Sequence, residues 1–333
     1  MEPTEVSRAL AATTSDAAEL GLSVEDASVI QNANRLAVRL VPCDVLARVA
    51  APVRRNHEVA AFEVEMARRL EEADCPVVGT FHTYFDKSKG YRFLNGYFQK
   101  RLDMLDAAIC VSHSTTVALE RYFSAPWQII PNGIDTDVFH PSVSTPPAIR
   151  KDVPSILFLG RFDPRNGLST LIDSFRKVKG KGREAQLVVV GDGPLREHYY
   201  KQARGDRDIT FVGAVLEGRP SYYAHSSIYA CPTTKASFGI TLLESMACET
   251  PIVCSDILGF QDVVVNGREA LMTPSGDRDA LADGLVQLLD DEGLRIQLGT
   301  TGRYESMKYS WPRVTSQVLD VYHNVMGRVA VAV

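Results

Sequence analysis

Residues 237–244 combine a small-residue turn, Ser237-Phe238-Gly239, with the start of an apolar helix pattern, and a strand pattern precedes them. A strand, a glycine turn and a helix start together leave backbone N–H groups unpaired and direct the positive end of the helix dipole at the turn, which suits a phosphate. Glu244 follows about one and a half helical turns later, where a carboxylate suits the hydroxyls of a ribose. The stretch indicates a nucleotide and favours a nucleotide sugar.

Two further loops with glycine and charge follow strand patterns in the same half of the chain, at 160–167 and 191–194. Because ligands of open α/β sheets bind beyond the carboxyl ends of the strands, we expect these loops and the 237–239 turn to meet at one crevice. Two arginines there can make charge-assisted contacts to a diphosphate. The residues of these two loops expected to line the crevice are Gly160, Arg161, Arg165, Asn166, Gly191 and Gly193.

The elements that must position these loops are regular from residue 150 onward. Strand-length apolar runs without polar alternation are separated by helix patterns, which is typical of a parallel sheet covered on both faces. The sequence therefore predicts a doubly wound α/β domain over 150–310, followed by a helix over 311–333. The predicted strands are 155–160, 186–191, 209–212, 228–231 and 251–254.

Residues 76–145 repeat this alternation more briefly and predict a second α/β domain. Strand patterns lie at 76–81, 107–111 and 127–130, with a helical stretch over 91–105. The proline-rich segment 140–154 is the expected interdomain linker.

The first 75 residues differ from the rest and predict an atypical amino-terminal segment. Residues 36–40 and 44–50 have the pattern of two paired strands, and residues 58–72 that of a charged amphipathic helix. Since no strand is followed by a glycine-rich turn, this segment does not begin like a nucleotide-binding unit.

Composition sets broader bounds. A net charge of −5 argues against a general nucleic-acid binder, and the six cysteines show no Cys-x-x-Cys spacing, which predicts buried free thiols in a reducing compartment. The first residues lack the pattern of a signal peptide, and no apolar run has the length of a spanning helix, so the expected location is cytoplasmic. Asp135-Thr136-Asp137 follows an Asn-Gly turn and is interpreted as turn chemistry, so no metal site is predicted.

Six short strings, in order along residues 76–328, resemble family 4 of the retaining glycosyltransferases, which have the GT-B fold. The resemblance implies two Rossmann-like parallel-sheet domains facing across a cleft, the amino-terminal one atypical or incomplete here, and it is nearest to phosphatidylinositol mannosyltransferases. The strings are Gly79-Thr80-Phe81-His82-Thr83, Pro131-Asn132-Gly133-Ile134-Asp135, Gly160-Arg161-Phe162, Gly191-Asp192-Gly193, Ser237-Phe238-Gly239-Ile240 with Glu244, and Tyr309-Ser310-Trp311.

The resemblance implies a role for particular residues on the donor. Arg161 would bind the donor diphosphate and Glu244 the ribose. The amides around Gly239 and Ile240 would hold the distal phosphate, while the backbone that leads to Val215 would meet the base.

The resemblance also implies the reaction. A hexosyl group would pass with retention from a UDP- or GDP-linked sugar to a lipid-linked or glycan hydroxyl, with no metal and no cofactor beyond the donor itself. His82, after a strand of the first domain, would lie across the cleft near the transferred sugar.

Three positions depart from the family pattern. Ala236 stands where a glutamate usually grips the sugar hydroxyls, Asn166 replaces a lysine that usually assists on the diphosphate, and Glu249 replaces a glycine. Losing one charge-assisted hydrogen bond to the sugar costs about 1.5–3 kcal/mol. The alternative is therefore a catalytically impaired nucleotide-sugar-binding or regulatory protein. A further hypothesis is that Lys235, beside Ala236, suits an acidic sugar such as a uronate.

Basic and aromatic residues alternate over residues 87–105. An amphipathic helix of this kind can lie on an anionic membrane, which would make the protein peripheral at the inner face of the cell membrane. The alternative is a helix packed on the first sheet with solvated charges. Separately, residues 34–50 and 63–72 faintly resemble the small lobe of an aminoglycoside-phosphotransferase-like kinase, although no catalytic lobe follows.

Overall fold

The structure is a computed structural model. Contacts divide the chain into two compact units, Met1–Val77 and Val78–Val333. The residues that the structure describes are 24–32, 35–42, 45–50, 76–215 and 218–332.

The described part of the first unit is an antiparallel sheet of three strands, in the order β1-β2-β3. The strands are β1 (Val24–Asn32), β2 (Arg35–Pro42) and β3 (Val45–Ala50). Leu36 of β2 lies opposite Val49 of β3. The sequence predicts this pair but not β1. The helix predicted over 58–72 lies outside the described residues.

A small parallel sheet opens the second unit, in the order β4-β5-β6; it forms what we call the first lobe. Its strands are β4 (Val78–Phe81), β5 (Ala107–Cys110) and β6 (Trp127–Ile129). All four residues of β5 are buried, as expected for a central strand covered on both faces.

Three helices connect these strands: α1 (Lys89–Phe93), α2 (Asn95–Leu102) and α3 (His113–Glu120). The single helix predicted over 91–105 is wrong, because the chain breaks at Leu94, with φ −103° and ψ 21°. Asn95 and Gly96, which follow, are both weak helix formers. The polar helix α3 has no apolar stripe and was not predicted.

The second lobe contains a six-stranded parallel sheet in the order β12-β11-β10-β7-β8-β9. Five strands lie where the sequence predicts them. The strands are β7 (Ser155–Leu159), β8 (Gln186–Val190), β9 (Ile209–Gly213), β10 (Ile228–Cys231), β11 (Ile252–Asp256) and β12 (Ala270–Pro274).

Helices cover both faces of this sheet. They are α4 (Leu168–Gly180), α5 (Arg196–Gln202), α6 (Arg219–Ala224), α7 (Ile240–Ala247), α8 (Leu258–Gln261), α9 (Arg278–Asp290) and α10 (Glu292–Ser306). The fold class predicted from the sequence, parallel-sheet α/β, is confirmed.

The second-lobe core consists of two clusters, one on each side of the sheet. Along β8, Leu187 and Val189 belong to one cluster, whereas Val188 and Val190 belong to the other. Successive side chains of a strand point to opposite faces, and both faces are covered here. This is why the strands are continuous apolar runs with no polar alternation.

The strand order reverses between β7 and β10, because the chain winds outward from β7 through β8 and β9 and then returns to start again beside β7. The loops after β7 and β10 therefore meet at the topological switch point, where ligands of such sheets bind. Gly167, with φ 74°, lets them approach: a Cβ placed there would lie 2.1 Å from the Pro232 carbonyl oxygen.

The last helix, α11 (Trp311–Ala332), returns to the first lobe. Val314, Val321 and Val325 pack in one cluster with Ile109 of β5. The 22 residues of α11 include charged positions, and none of the helices in the described ranges is long and apolar enough to cross a membrane.

Substitution of Gly167 by alanine tests the close approach of the two loops. Gly182 is the matched control, because its φ is 75° but no atom lies within 4 Å of a Cβ placed there. Both variants carry the left-handed penalty of about 1–2 kcal/mol. Only Gly167→Ala adds the overpacking cost of about 1–3 kcal/mol, which urea unfolding should show. Equal losses in the two variants would contradict the contact.

Candidate functional site

The loops after β7 and β8 lie side by side at the carboxyl edge of the second-lobe sheet. The Gly160 N–H donates to the Val190 carbonyl at 3.0 Å, and the Phe162 N–H donates to the Asp192 carbonyl at 2.9 Å. A Cβ at Gly191 would lie 1.9 Å from the Gly160 carbonyl oxygen. The structure thus brings together two of the three loops that the sequence predicts at one crevice.

Asn166 shapes the loop that carries Arg161. Its side-chain amide donates to the Arg161 carbonyl oxygen at 2.7 Å. The predicted contact of Asn166 with a diphosphate stays a prediction. In the structure its amide holds the loop at the backbone of Arg161.

The two arginines of this loop are both exposed. The Arg161 guanidinium has no hydrogen bond or ion pair to any of the described residues. Arg165 lies with its Nε 3.6 Å from the Asp163 Oδ1, a contact at the loose end of ion pairing. As far as the described residues show, the Arg161 guanidinium at the switch point is available to an anionic ligand.

The loop after β10 completes the crevice. The Thr234 N–H donates to the Arg165 carbonyl at 2.7 Å, which joins this loop to the one after β7. Gly239 is the N-cap residue of α7 and has no side chain. The first amides of the helix, from Ile240 onward, therefore receive no hydrogen bond from a capping side chain. Gly193 also approaches the first loop closely, since its Cβ would lie 2.8 Å from the Phe162 carbonyl.

The side chain of Phe238 faces the protein interior. It is buried in the core, with its ring centroid 6.2 Å from that of Tyr309. Ile240, in contrast, is exposed. A ligand could therefore meet Phe238 only through its backbone.

Ser237 is one of the points where the first lobe contacts this loop. The hydroxyls of Ser112 and Ser114 both donate to the Ser237 carbonyl, at 2.5 and 2.7 Å. The Asp262 carboxylate accepts the Ser114 N–H at 3.0 Å, at the start of α3. These bonds fix the α3 start of the first lobe against the turn that begins α7.

Glu244 is buried, with 3% of its side chain exposed. The Tyr223 hydroxyl donates to its Oε2 at 2.9 Å, and the Arg219 Nη1 lies 2.9 Å from its Oε1. Burial raises the pKa of Glu244, while the Arg219 charge and the Tyr223 hydrogen bond oppose the rise. Both carboxylate oxygens already have partners, so the ribose contact expected of Glu244 stays a prediction.

The guanidinium of Arg219 also contacts an aromatic ring. Its guanidinium lies 5.6 Å from the ring centroid of Phe139. The Arg303 Nη1 bonds the Phe139 carbonyl at 3.0 Å and the Ala247 carbonyl, at the end of α7, at 2.6 Å. Within the described ranges, the Arg219 Nε is buried without a hydrogen-bond partner.

His82 directly follows β4 and is exposed at the carboxyl edge of the first-lobe sheet. Two residues from the same loop meet the second lobe: Asp86 Oδ2 lies 2.7 Å from the Lys235 Nζ, and the Tyr84 hydroxyl donates to Asp86 Oδ1 at 3.0 Å. The Lys235 ammonium, for which an acidic sugar is the hypothesis from the sequence, therefore already has a carboxylate partner.

The predicted base contact lies at the end of β9. The Gly191 N–H donates to the Gly213 carbonyl at 2.8 Å, which connects β9 to the same edge. Val215 is half-buried against the core. Its role toward a base stays a prediction. The two residues after it lie outside the described part of the chain.

Sequence reasoning missed several residues that shape this site. Ser112 could have been found, since it is the N-cap of α3 and accepts the Thr115 N–H. Arg219 gives no signal, because its partner Glu244 is distant in sequence. Asp135 was interpreted correctly, since its Oδ1 accepts the N–H groups of Asp137 and Val138, which is turn chemistry.

A paired-lobe α/β fold with a phosphate-suited crevice at the switch point defines a class, the glycosyltransferases of GT-B architecture. Residues 153–291 match the glycosyl transferases group 1, and residues 55–138 match glycosyltransferase family 4. The second match begins within the segment that the sequence predicts to be atypical. The chain belongs to the family 4 glycosyltransferases of GT-B fold and is a transferase.

The curated relatives include phosphatidyl-myo-inositol mannosyltransferases of mycobacteria. That of Mycobacterium tuberculosis is 32% identical over 278 residues, which cover 81% of this chain and 73% of the relative. That of Mycobacterium leprae is 34% identical over 262 residues, covering 77% of this chain and 69% of the relative.

Solved structures share the fold at lower identity. The Anabaena protein HepE, in a complex with UDP and glucose, has a TM-score of 0.67 at 18% identity and covers 78% of this chain and 74% of its own. A sucrose-phosphate synthase from Thermosynechococcus elongatus has a TM-score of 0.70 at 20% identity and covers 91% and 87%.

Replacing Arg219 by methionine should destabilise the fold in a pH-dependent way. Without the cation, burial raises the pKa of Glu244 further. A raised folded-state pKa gives stability that is present below the unfolded pKa and lost as pH rises through the folded pKa. We expect a loss of about 2–3 kcal/mol near pH 8, below the usual range for a broken buried pair because Arg219 is partly exposed, and a smaller loss near pH 5.

Urea unfolding at the two pH values measures this difference. The double variant Arg219→Met with Glu244→Gln is the control, since it has no group at 244 to titrate. The loss in its free energy of unfolding, relative to Glu244→Gln, should not depend on pH. A deficit of Arg219→Met that is the same at both pH values would count against the ion pair.

Proposed function

We propose that the protein transfers a hexosyl group, with retention of anomeric configuration, from a nucleotide diphosphate sugar to a lipid-linked or glycan hydroxyl. The observation that carries this proposal is the junction of the β7 and β10 loops through Thr234 and Arg165. It puts the guanidinium of Arg161, which has no partner among the described residues, and the start of α7 on one edge, where a diphosphate suits both.

In this reaction the bond between the sugar C1 and the donor phosphate oxygen breaks, and a bond from C1 to the acceptor oxygen forms on the same face. The acceptor proton passes to the leaving phosphate. Negative charge develops on the diphosphate, and fixed donors aimed at that charge lower the barrier. Arg161 and the amides at Gly239 and Ile240 supply these donors in our proposal, with no metal required.

The other predicted residues take the following places in the proposal. Glu244, oriented by Tyr223 and Arg219, binds the ribose, and His82 approaches the sugar from the first lobe. The backbone before Val215 meets the base. The names of the relatives favour mannose as the sugar and a phosphoinositide as the acceptor.

Calorimetry with UDP-, GDP- and ADP-sugars tests the donor proposal. We expect one of these to bind and Arg161→Met to weaken its binding about 10- to 100-fold, because a charge-assisted contact is lost. Arg183→Met is the control, since Arg183 pairs with Asp290 on the surface and belongs to no predicted site. Absence of binding to every donor would end the proposal, as would equal effects of the two substitutions.

A lipid-linked acceptor is supported by an exposed apolar patch on α1 and α2, made of Phe93, Leu94 and Tyr97. Phe93 is 89% exposed. Tyr91 and Phe98, from the same two helices, pack against the first-lobe core. Basic side chains flank the patch, as in helices that lie on anionic membranes. We propose that this patch rests on the acceptor's membrane.

Co-sedimentation with anionic vesicles tests the patch. Phe93→Ser with Tyr97→Ser should lower the vesicle-bound fraction several-fold, because apolar area that enters the interface is lost. Ile296→Ser, at an exposed apolar residue of α10, is the control. Binding that is indifferent to anionic lipid, or equal in both variants, would refute membrane contact.

A further inference from the structure

The loop that contains Ala236 meets a carboxylate of the first lobe. Ala236 has a methyl group where the family resemblance leads one to expect a glutamate, so the side chain at position 236 cannot accept a hydrogen bond from a sugar hydroxyl. The neighbouring Lys235 reaches across to the first lobe, where its Nζ lies 2.7 Å from Asp86 Oδ2. A first-lobe carboxylate, from the loop after β4, therefore contacts the residue next to Ala236.

Asp86 is held on two sides. The Tyr84 hydroxyl donates to Oδ1 at 3.0 Å, and the Lys235 ammonium also lies 5.7 Å from the Tyr84 ring centroid. Arg121 donates to the Asp86 backbone carbonyl at 2.6 Å, which fixes the loop itself. These contacts define the Asp86 cluster, which consists of Tyr84, Asp86 and Lys235.

The cluster remains open to a ligand. The Asp86 side chain is 63% exposed and that of Lys235 is 37% exposed. A carboxylate offers about four acceptor positions, and the two protein contacts use only two of them. The hydrogen bonds from Lys235 and Tyr84 lower the pKa of Asp86, so the group stays ionised and able to accept hydroxyl protons.

The position of the cluster agrees with the sugar end of the site. Thr234, directly before Lys235, bonds the loop that carries Arg161, and Ser237, shortly after it, begins the turn into α7. His82 belongs to the same loop as Asp86. A sugar attached to a diphosphate at the α7 start would lie next to this loop.

We propose that Asp86 binds hydroxyl groups of the transferred sugar and replaces, from the opposite lobe, the carboxylate missing at position 236. Lys235 is a positioning residue that holds Asp86 in place. This inference rests on the proposed donor function and deepens it. It makes Asp86 a determinant of sugar specificity and leaves the nucleotide end of the donor unaffected.

The test compares two ligands on the same protein by calorimetry: the nucleotide sugar that the wild type binds, and the corresponding nucleoside diphosphate without sugar. Asp86→Asn should weaken binding of the nucleotide sugar about 10-fold or more, since an ionised acceptor is lost, and should leave the nucleoside diphosphate affinity within about twofold. Asp283→Asn is the matched control, because Asp283 pairs with Lys181 at a comparable exposure away from the crevice.

Two further variants separate a sugar contact from a structural effect. Ala236→Glu added to Asp86→Ala should restore nucleotide-sugar affinity, which a purely structural role of Asp86 would not allow. Lys235→Met should weaken sugar binding, and Lys235→Arg should restore most of it. If Ala236→Glu fails to restore nucleotide-sugar affinity to Asp86→Ala, the assignment is overturned.

The outcomes are distinguishable from failure of the proposed function. A wild type that binds no nucleotide sugar overturns that function and the role of Asp86 with it. A wild type that binds, with Asp86→Asn equally tight, overturns the role of Asp86 alone. Equal weakening of both ligands would show that Asp86 acts on lobe contact rather than on the sugar, and would also overturn it.

Discussion

The contact between the loops after β7 and β10 is the constraint on which the site depends. Strand order reverses there, so two chain segments that leave the sheet in different directions must pass each other at van der Waals distance. Gly167 allows the approach, and the bond from Thr234 to Arg165 fixes its register. Through this one junction, the loop with the free guanidinium and the start of α7 acquire a fixed separation. A parallel sheet with another strand order would leave them apart.

Two arginines of the second lobe have different surroundings and therefore different roles. Arg161 is exposed and unpaired among the described residues, so its charge is available to a ligand. Arg219 pairs with the buried carboxylate of Glu244, which would otherwise be an uncompensated buried charge. Replacing a buried partner is costly, whereas an exposed arginine contributes little to stability. Arg219 therefore contributes to stability through a buried pair, whereas Arg161 contributes little to stability.

Local features of the sequence are sufficient to predict most strands of the second-lobe sheet and the order of its loops. Residues 187–190 are apolar throughout because both faces of β8 are covered, and that pattern is visible without a structure. The missed strand β12 has few β-branched residues, and α10 contains glycines that argue against a helix. Gly299 is there because a Cβ would lie 2.3 Å from the Glu249 carbonyl, a packing fact that no local pattern encodes.

The site was harder to predict than the sheet, because its side chains come from distant segments. The glycines and Arg161 lie directly after strands and could be placed by topology alone. Asp86 and Lys235 are far apart in the chain, and their contact depends on how the two lobes meet. The sequence shows that position 236 has no carboxylate, but only the fold shows that the Asp86 carboxylate contacts the neighbouring Lys235.

The two passages of the chain between the lobes lie next to each other. The chain leaves the first-lobe core at Ile130 and joins the second-lobe core at Ile134, and it returns between Tyr309 and Val314. Ile134 exchanges hydrogen bonds with Tyr309 and Trp311, so the passages form one small joint. The covalent connections between the lobes therefore converge on one place, and a movement of one lobe against the other would have to pivot there. In such a movement the displacement of a residue would grow with its distance from Ile134.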